Sequence, residues 1–196
     1  MTDLERDWWN TLDGQDVIDN TSGVPPYDVG EVAAFIAEQL GDVTQSTLLL
    51  DLGCGPGRLT NAVAELFPWC TIVGNDISPK MIATAQAHCP MSAFQVCDGR
   101  TLPGTHLYAG GFSVTVFQHI PHEAVRGYLA QVRRRLLPGA RFVFSYSAGD
   151  ENVFLSHQIH DHDLVRWLGD AGFEEIRLLD VNVGHDEWSW ALAGAL

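Results

Sequence analysis

Hydrophobic residues along this chain switch repeatedly between the period of a strand and that of a helix. Short runs rich in Leu, Ile, Val and Phe, such as Leu48 to Leu50, Thr71 to Val73 and Ala93 to Val96, read as buried strands. Between them, apolar residues recur at helical spacing. Asp28 and Glu31 are spaced as a capping box, and Val32, Ala33, Phe35, Ile36 and Leu40 continue on one helical face toward Gly41. A second helix turns Leu59, Ala62, Val63 and Leu66 inward, and a third starts at Ser78-Pro79, a cap and a first-turn residue.

The pattern continues with strand four over about Gly111 to Phe117, a helix over about His122 to Leu137, and strand five over Arg141 to Tyr146. A last helix, about Asp163 to Ala171, stops at Gly172. Two strands near Glu174 to Val183 and Glu187 to Ala193 flank a short turn at Gly184-His185-Asp186, so they pair as a hairpin. Helical crossovers force the earlier strands to run parallel. The expected architecture is an α/β domain with a seven-stranded, mostly parallel sheet, its last strand antiparallel, and helices on both faces.

One segment of this scaffold carries chemistry. The run Leu48-Leu49-Leu50-Asp51-Leu52-Gly53-Cys54-Gly55-Pro56-Gly57 is a strand ending in an acid, then a glycine loop that opens a helix. Glycines there allow a sharp turn and bring bare backbone against a ligand. A phosphate-binding loop needs Lys followed by Ser or Thr, and Arg58-Leu59 stand here instead. A dinucleotide fingerprint needs a small residue where Arg58 sits. An acidic, lysine-poor pocket suits S-adenosylmethionine, which has no phosphate.

Two more acids follow strands. Asp76 closes the second and can accept from both ribose hydroxyls; Asp98 closes the third, placed to accept from the adenine amine, with Gly99 letting the chain pass closely. Any one of these Asp residues alone reads better as a helix cap or a turn. All three in order read as a cofactor site.

These residues, with the later Leu136-Leu137-Pro138-Gly139-Ala140-Arg141, resemble the class I S-adenosylmethionine-dependent methyltransferase family from about Asp28 onward. The resemblance implies a Rossmann-like fold. It also implies that Asp51 and the backbone of Gly53 and Gly55 hold the methionine portion, Asp76 the ribose, and Ile77, Asp98 and Gly99 the adenine, with Phe117 flanking the cofactor. The pattern departs at Phe112-Ser113, where the family often carries an Asp after the aromatic. A strand over Gly111 to Phe117 would put Ser113 at its amino end, away from the ligand side.

Methyl transfer is an in-line displacement, so no covalent nucleophile is required and positioning supplies much of the rate. His119 is the candidate general base and His122 the second; alternatively His119 lines the pocket or bonds the loop backbone. Trp8 and Trp9, before the polar Gly14 to Gly23 stretch, either form a lid over the acceptor or pack on a core flank, so residues 1–27 read as a cap segment and 28–196 as the cofactor-binding fold of a single domain. His157, His160 and His162 with Asp161 and Asp163 suggest a metal, but displacement needs none, and the expectation is no metal.

Composition narrows the acceptor. A formal charge of −14 over 196 residues disfavours direct nucleic-acid binding, and the triplet Arg133-Arg134-Arg135 reads as a solvated helix end. Gln118-His119-Ile120-Pro121 lacks the Pro-Pro-aromatic stretch of DNA amine methylation, and Cys89-Pro90 reverses the Pro-Cys order of cytosine-C5 enzymes. Unpaired cysteine spacing, no signal-like N-terminus and no long apolar run point to a cytoplasmic protein without a membrane span. The reading is a methyltransferase acting on an oxygen or nitrogen of a small molecule. Its alternatives are a protein or RNA methyltransferase working with a partner subunit, or a catalytically silent binding module.

Overall fold

The computed structural model describes residues 3–18, 27–43, 47–149, 156–185 and 188–195. Seven strands form one sheet in the order β3-β2-β1-β4-β5-β7-β6. β1 (Leu48–Leu52), β2 (Thr71–Asp76), β3 (Ala93–Val96), β4 (Tyr108–Ser113) and β5 (Leu136–Tyr146) pair in parallel, whereas β7 (Ser189–Gly194) runs antiparallel between β5 and β6 (Glu175–Leu179). The expected architecture is observed, including the antiparallel last strand.

Alternate residues of the central strands are buried on opposite faces, which is why those strands read as unbroken apolar runs. Leu49, Ile72 and Phe112 pack on α3 (Val29–Leu40) and α4 (Arg58–Leu66). Leu50, Val73 and Phe142 pack on α6 (His122–Arg135) and α7 (Asp161–Asp170). The side chain of Asp28 caps α3 by accepting from Glu31 N at 3.0 Å, and Ser78 caps α5 (Pro79–His88). Two N-terminal helices, α1 (Asp3–Thr11) and α2 (Gly14–Ile18), precede the core; the remainder of the Gly14 to Gly23 stretch lies outside the described residues.

Strand four departs from expectation. It begins at Tyr108, three residues before Gly111, and ends at Ser113. Gly110 and Gly111 are interior strand residues: a β-carbon on Gly110 would come within 3.1 Å of Leu40, and one on Gly111 within 3.0 Å of Leu50. Ser113 therefore stands at the carboxyl end, not the amino end, and its hydroxyl donates to Leu52 O at 2.8 Å. Phe117 falls beyond the strand in a single 3-10 turn, Phe117–His119. β5 starts earlier than expected and runs through Pro138-Gly139 across a register shift against β4.

At the other edge, β6 ends at Leu179, not Val183, and β7 starts at Ser189; the expected turn and strand start at Asp186 and Glu187 lie outside the described residues. The Trp190 indole donates to Val183 O at 3.1 Å, taking that carbonyl away from strand pairing. α7 begins two residues before Asp163. In the basic triplet, two arginines are spent on backbone: Arg133 donates to Gly172 O, and Arg135 to Pro103 O and Leu102 O. Among the described residues no helix is long and apolar enough to cross a membrane.

Candidate active site

β1 delivers Asp51 to the sheet's carboxyl edge at 2% exposure, where the Thr60 hydroxyl of α4 donates to Asp51 Oδ2 at 2.6 Å. Burial outweighs that bond, and with the nearby Asp76 charge it pushes the Asp51 carboxyl up to about 7. The chain then turns through Gly53 (φ 78°), Gly55 (φ 52°) and Gly57 (φ 86°), a left-handed series that L side chains rarely adopt. A β-carbon on Gly53 would overlap the Val116 side chain, whereas one on Gly55 would meet nothing within 4 Å. Gly55 is thus a bare stretch of backbone facing open space.

Asp76 fastens this loop to the next element. Its Oδ2 accepts from Gly55 N at 3.0 Å and its Oδ1 from Ser78 N at 2.9 Å. Desolvation raises its pKa against these backbone bonds. The carboxylate bridges the glycine loop and the start of α5, with capacity left on both oxygens.

Beside these groups an open cleft crosses the sheet edge. Asp51, Gly53, Gly55, Asp76, Ile77 and Gly99 line it. So do Trp9 and His119, whose rings meet edge to face with centroids 5.1 Å apart. Eight of the sequence-derived candidates converge on one cavity.

The other four lie elsewhere. Asp98 is exposed and uses Oδ1 to accept from Arg100 N and Thr101 N, bonds that hold its carboxyl below the usual range; it caps a turn and is not among the lining residues. Phe117 is fully buried against Phe144, ring centroids 4.9 Å apart, so it packs in the core and is not among the lining residues. Trp8 is 38% exposed and packs on Trp9 from outside the cavity. His122 opens α6, where Nε2 pairs with Gln158 O at 2.9 Å and the ring lies 5.1 Å from Trp167.

Several lining residues were not read as site residues from sequence. Arg58, noted there only as a mismatch to other motifs, donates to Val17 O at 3.2 Å and stands 5.3 Å over the Tyr27 ring, tying α4 to the N-terminal segment. Among the described residues it is the single Lys or Arg lining the cleft. Tyr27 is half-buried there, and desolvation pushes its phenol up to about 12. Thr115, with φ 59°, holds a conformation strained for a β-branched residue, and its N–H donates to the Ser145 hydroxyl at 2.9 Å. Nothing in its sequence context signals that conformation. Cys97 and Tyr128 line the far wall, their polar atoms 3.9 Å apart.

Residues 49–139 match the profile of a family described as a methyltransferase domain. Over 145 residues the chain is 30% identical to a trans-aconitate 2-methyltransferase of Streptomyces avermitilis, covering 71% of this chain and 50% of that one. It is 29% identical over 130 residues to a ubiquinone biosynthesis O-methyltransferase of Cereibacter sphaeroides, covering 63% and 51%. The chain thus spans about half the length of these curated relatives. Its fold superposes on magnesium protoporphyrin IX methyltransferase from Synechocystis with a TM-score of 0.74, at 19% identity and over 98% of this chain and 99% of that one. A glycine loop between the buried Asp51 and the half-buried Asp76, on a sheet of this order and within a matched methyltransferase domain, makes the chain a member of the class I S-adenosylmethionine-dependent methyltransferase family.

Proposed function

We propose that this protein transfers a methyl group from S-adenosylmethionine to an oxygen or nitrogen of a small molecule. The observation that carries the reading is Asp76, a carboxylate fixed by Gly55 N and Ser78 N at the edge of the cleft. The residues present fit the cofactor: Gly55 offers backbone facing open space, Asp76 offers acceptors for a ribose diol, and Asp51 offers a carboxylate for an ammonium group. When bound, the cofactor supplies an electrophilic methyl group on a sulfonium.

The chain's own residues then hold the partners in line. Ile77 and Gly99 bound the nucleoside end, while Trp9, Val116 and His119 wall the opposite end and exclude water. His119 is the residue to take a proton where the acceptor is a hydroxyl or a protonated amine. A carboxylate acceptor would need no base, because its oxygen is already ionised at neutral pH. Arg58 supports an acceptor of that charge, and the relatives include enzymes named for trans-aconitate. Residues 1–27 act as a lid, with Trp9 and Val17 over the cleft, and 28–196 as the cofactor-binding fold. We assign the protein to the cytoplasm, in keeping with the free thiols of Cys54 and Cys89.

Calorimetry with S-adenosylhomocysteine tests the reading. Wild type should bind in the micromolar range, and Asp76→Ala should lose about a hundredfold, the worth of roughly two charge-assisted hydrogen bonds. Failure of well-folded wild type to bind would sink the enzyme reading.

A further inference from the structure

The residue before Asp76 is not accounted for by the cofactor motifs. Asn75 is 2% exposed, and its backbone carbonyl accepts from Gly53 N and Cys54 N at 2.8 and 3.0 Å. Its side-chain Nδ2 donates to Asp51 O at 3.4 Å. Its Oδ1 meets no donor among the described residues, yet the residue lines the cleft. The amide orientation is determined by the partner: the Asp51 carbonyl can only accept, so the nitrogen must face it and the oxygen must face away.

A buried amide oxygen is rarely left unpaired, because desolvation is not offset unless a donor arrives. Two other described residues hold such an atom, Asn10 Oδ1 and Gln118 Oε1, and neither residue lines the cleft. Asn75 therefore joins an unmet acceptor to the cleft. Its neighbours there are already engaged: Asp76 with Gly55 N and Ser78 N, and Asp51 with Thr60.

We infer that Asn75 Oδ1 accepts a hydrogen bond from an N–H or O–H donor of the bound cofactor, making Asn75 a ligand-binding residue in addition to the acids of the motifs. The inference rests on the methyltransferase reading above. The donor has two possible sources on one molecule: a hydroxyl or amine of the nucleoside end, or the ammonium of the amino-acid end.

Three variants, each checked by melting curves for folding, separate these roles. Asn75→Leu and Asn75→Val remove the acceptor, the second with a side chain that strands favour. Asn75→Asp keeps Oδ1 but loses the Nδ2 donor to Asp51 O. Calorimetry with S-adenosylhomocysteine should give about a tenfold loss for the Leu and Val variants and less than threefold for Asp. Equal losses in all three would assign the effect to the bond with Asp51 and overturn the inference, as would unchanged binding by the Leu and Val variants. 5′-Methylthioadenosine, which lacks the amino-acid end, distinguishes the sources: the same tenfold loss supports a nucleoside donor, and its absence there supports the ammonium. If folded wild type binds neither compound, the methyltransferase reading fails along with this one; if wild type binds and the Leu and Val variants bind equally well, only the Asn75 assignment fails.

Discussion

Asp76 and Trp9 line one cavity but are held there by different means. Asp76, with Asp51 and the glycine loop, belongs to a half built from consecutive strand ends, in which each polar group is fixed by a backbone amide or a buried hydroxyl. Trp9, Tyr27, Arg58 and His119 form the other half from segments far apart in sequence, joined to one another by ring contacts and to the N-terminal segment by the bond from Arg58 to Val17 O. The first half makes its own hydrogen bonds without a ligand. The second depends on two short N-terminal helices docking correctly, and helices of that length have little stability of their own. A cofactor shared by many enzymes suits the first kind of wall, and an acceptor particular to one enzyme suits the second.

The strongest way to break that distinction is at Gly53, where the halves touch. A β-carbon there would overlap Val116 Cγ2, and φ of 78° is costly for any L side chain. Gly53→Ala should destabilise the fold by about 2–4 kcal/mol and weaken S-adenosylhomocysteine binding more than a hundredfold. Adding Val116→Ala removes the overlapping carbon and should recover part of the stability but little of the φ cost. Denaturant melts of the single and double variants measure both contributions. Full recovery would mean the loop tolerates a side chain at Gly53 and is less rigid than its hydrogen bonds imply.

The same contrast governed what the sequence could disclose. Asp51, Gly53, Gly55 and Asp76 owe their roles to position relative to a strand end, and strand ends are marked by the change of hydrophobic period. Asp98 also follows a strand, but an Asp there caps a turn as readily as it meets a ligand, and here its Oδ1 accepts from Arg100 N and Thr101 N, outside the lining of the cleft. Phe117 and Ser113 were displaced by one error. Strand four was expected to start at Gly111, but it starts at Tyr108 with Gly110 and Gly111 packed inside it against Leu40 and Leu50, so it ends before Phe117 and the 3-10 turn places that ring in the core. Arg58 and Tyr27 meet only in the folded chain. No local spacing encodes that pairing.

An intermediate effect separates the halves by pH. Burial raises the Asp51 carboxyl to about 7, above the ordinary value near 4, so at pH values between these the folded chain holds a proton that the unfolded chain has released. Stability of the ligand-free protein is therefore greatest below that window and falls as pH rises through it, by at most about 1.4 kcal/mol per unit. An ammonium group facing Asp51 requires the ionised form, so affinity for S-adenosylhomocysteine should rise about tenfold from pH 6 to pH 8. Asp51→Asn should flatten both dependences. An unchanged pH slope in that variant would transfer the effect to Asp76, whose pKa is raised in the same direction.

The smallest effect on cofactor binding belongs to Arg58, and it tests whether the division falls where the geometry puts it. The guanidinium directly follows the glycine loop in sequence but spends its resolved contacts on Val17 O and the Tyr27 ring, both in the N-terminal segment. If it serves the acceptor, Arg58→Gln should leave S-adenosylhomocysteine affinity within threefold of wild type. With trans-aconitate as the acceptor probe, the same variant should raise KM at least tenfold, because a neutral amide replaces a guanidinium of the cleft opposite a polycarboxylate. Arg58→Lys keeps the charge but not the planar fork, and should fall between the two. A tenfold loss of S-adenosylhomocysteine affinity in Arg58→Gln, with 5′-methylthioadenosine binding unchanged, would assign the guanidinium to the cofactor's own carboxylate. The boundary would then pass between Arg58 and Tyr27, leaving the acceptor wall almost wholly aromatic and apolar, and uncharged acceptors would become the better class to screen.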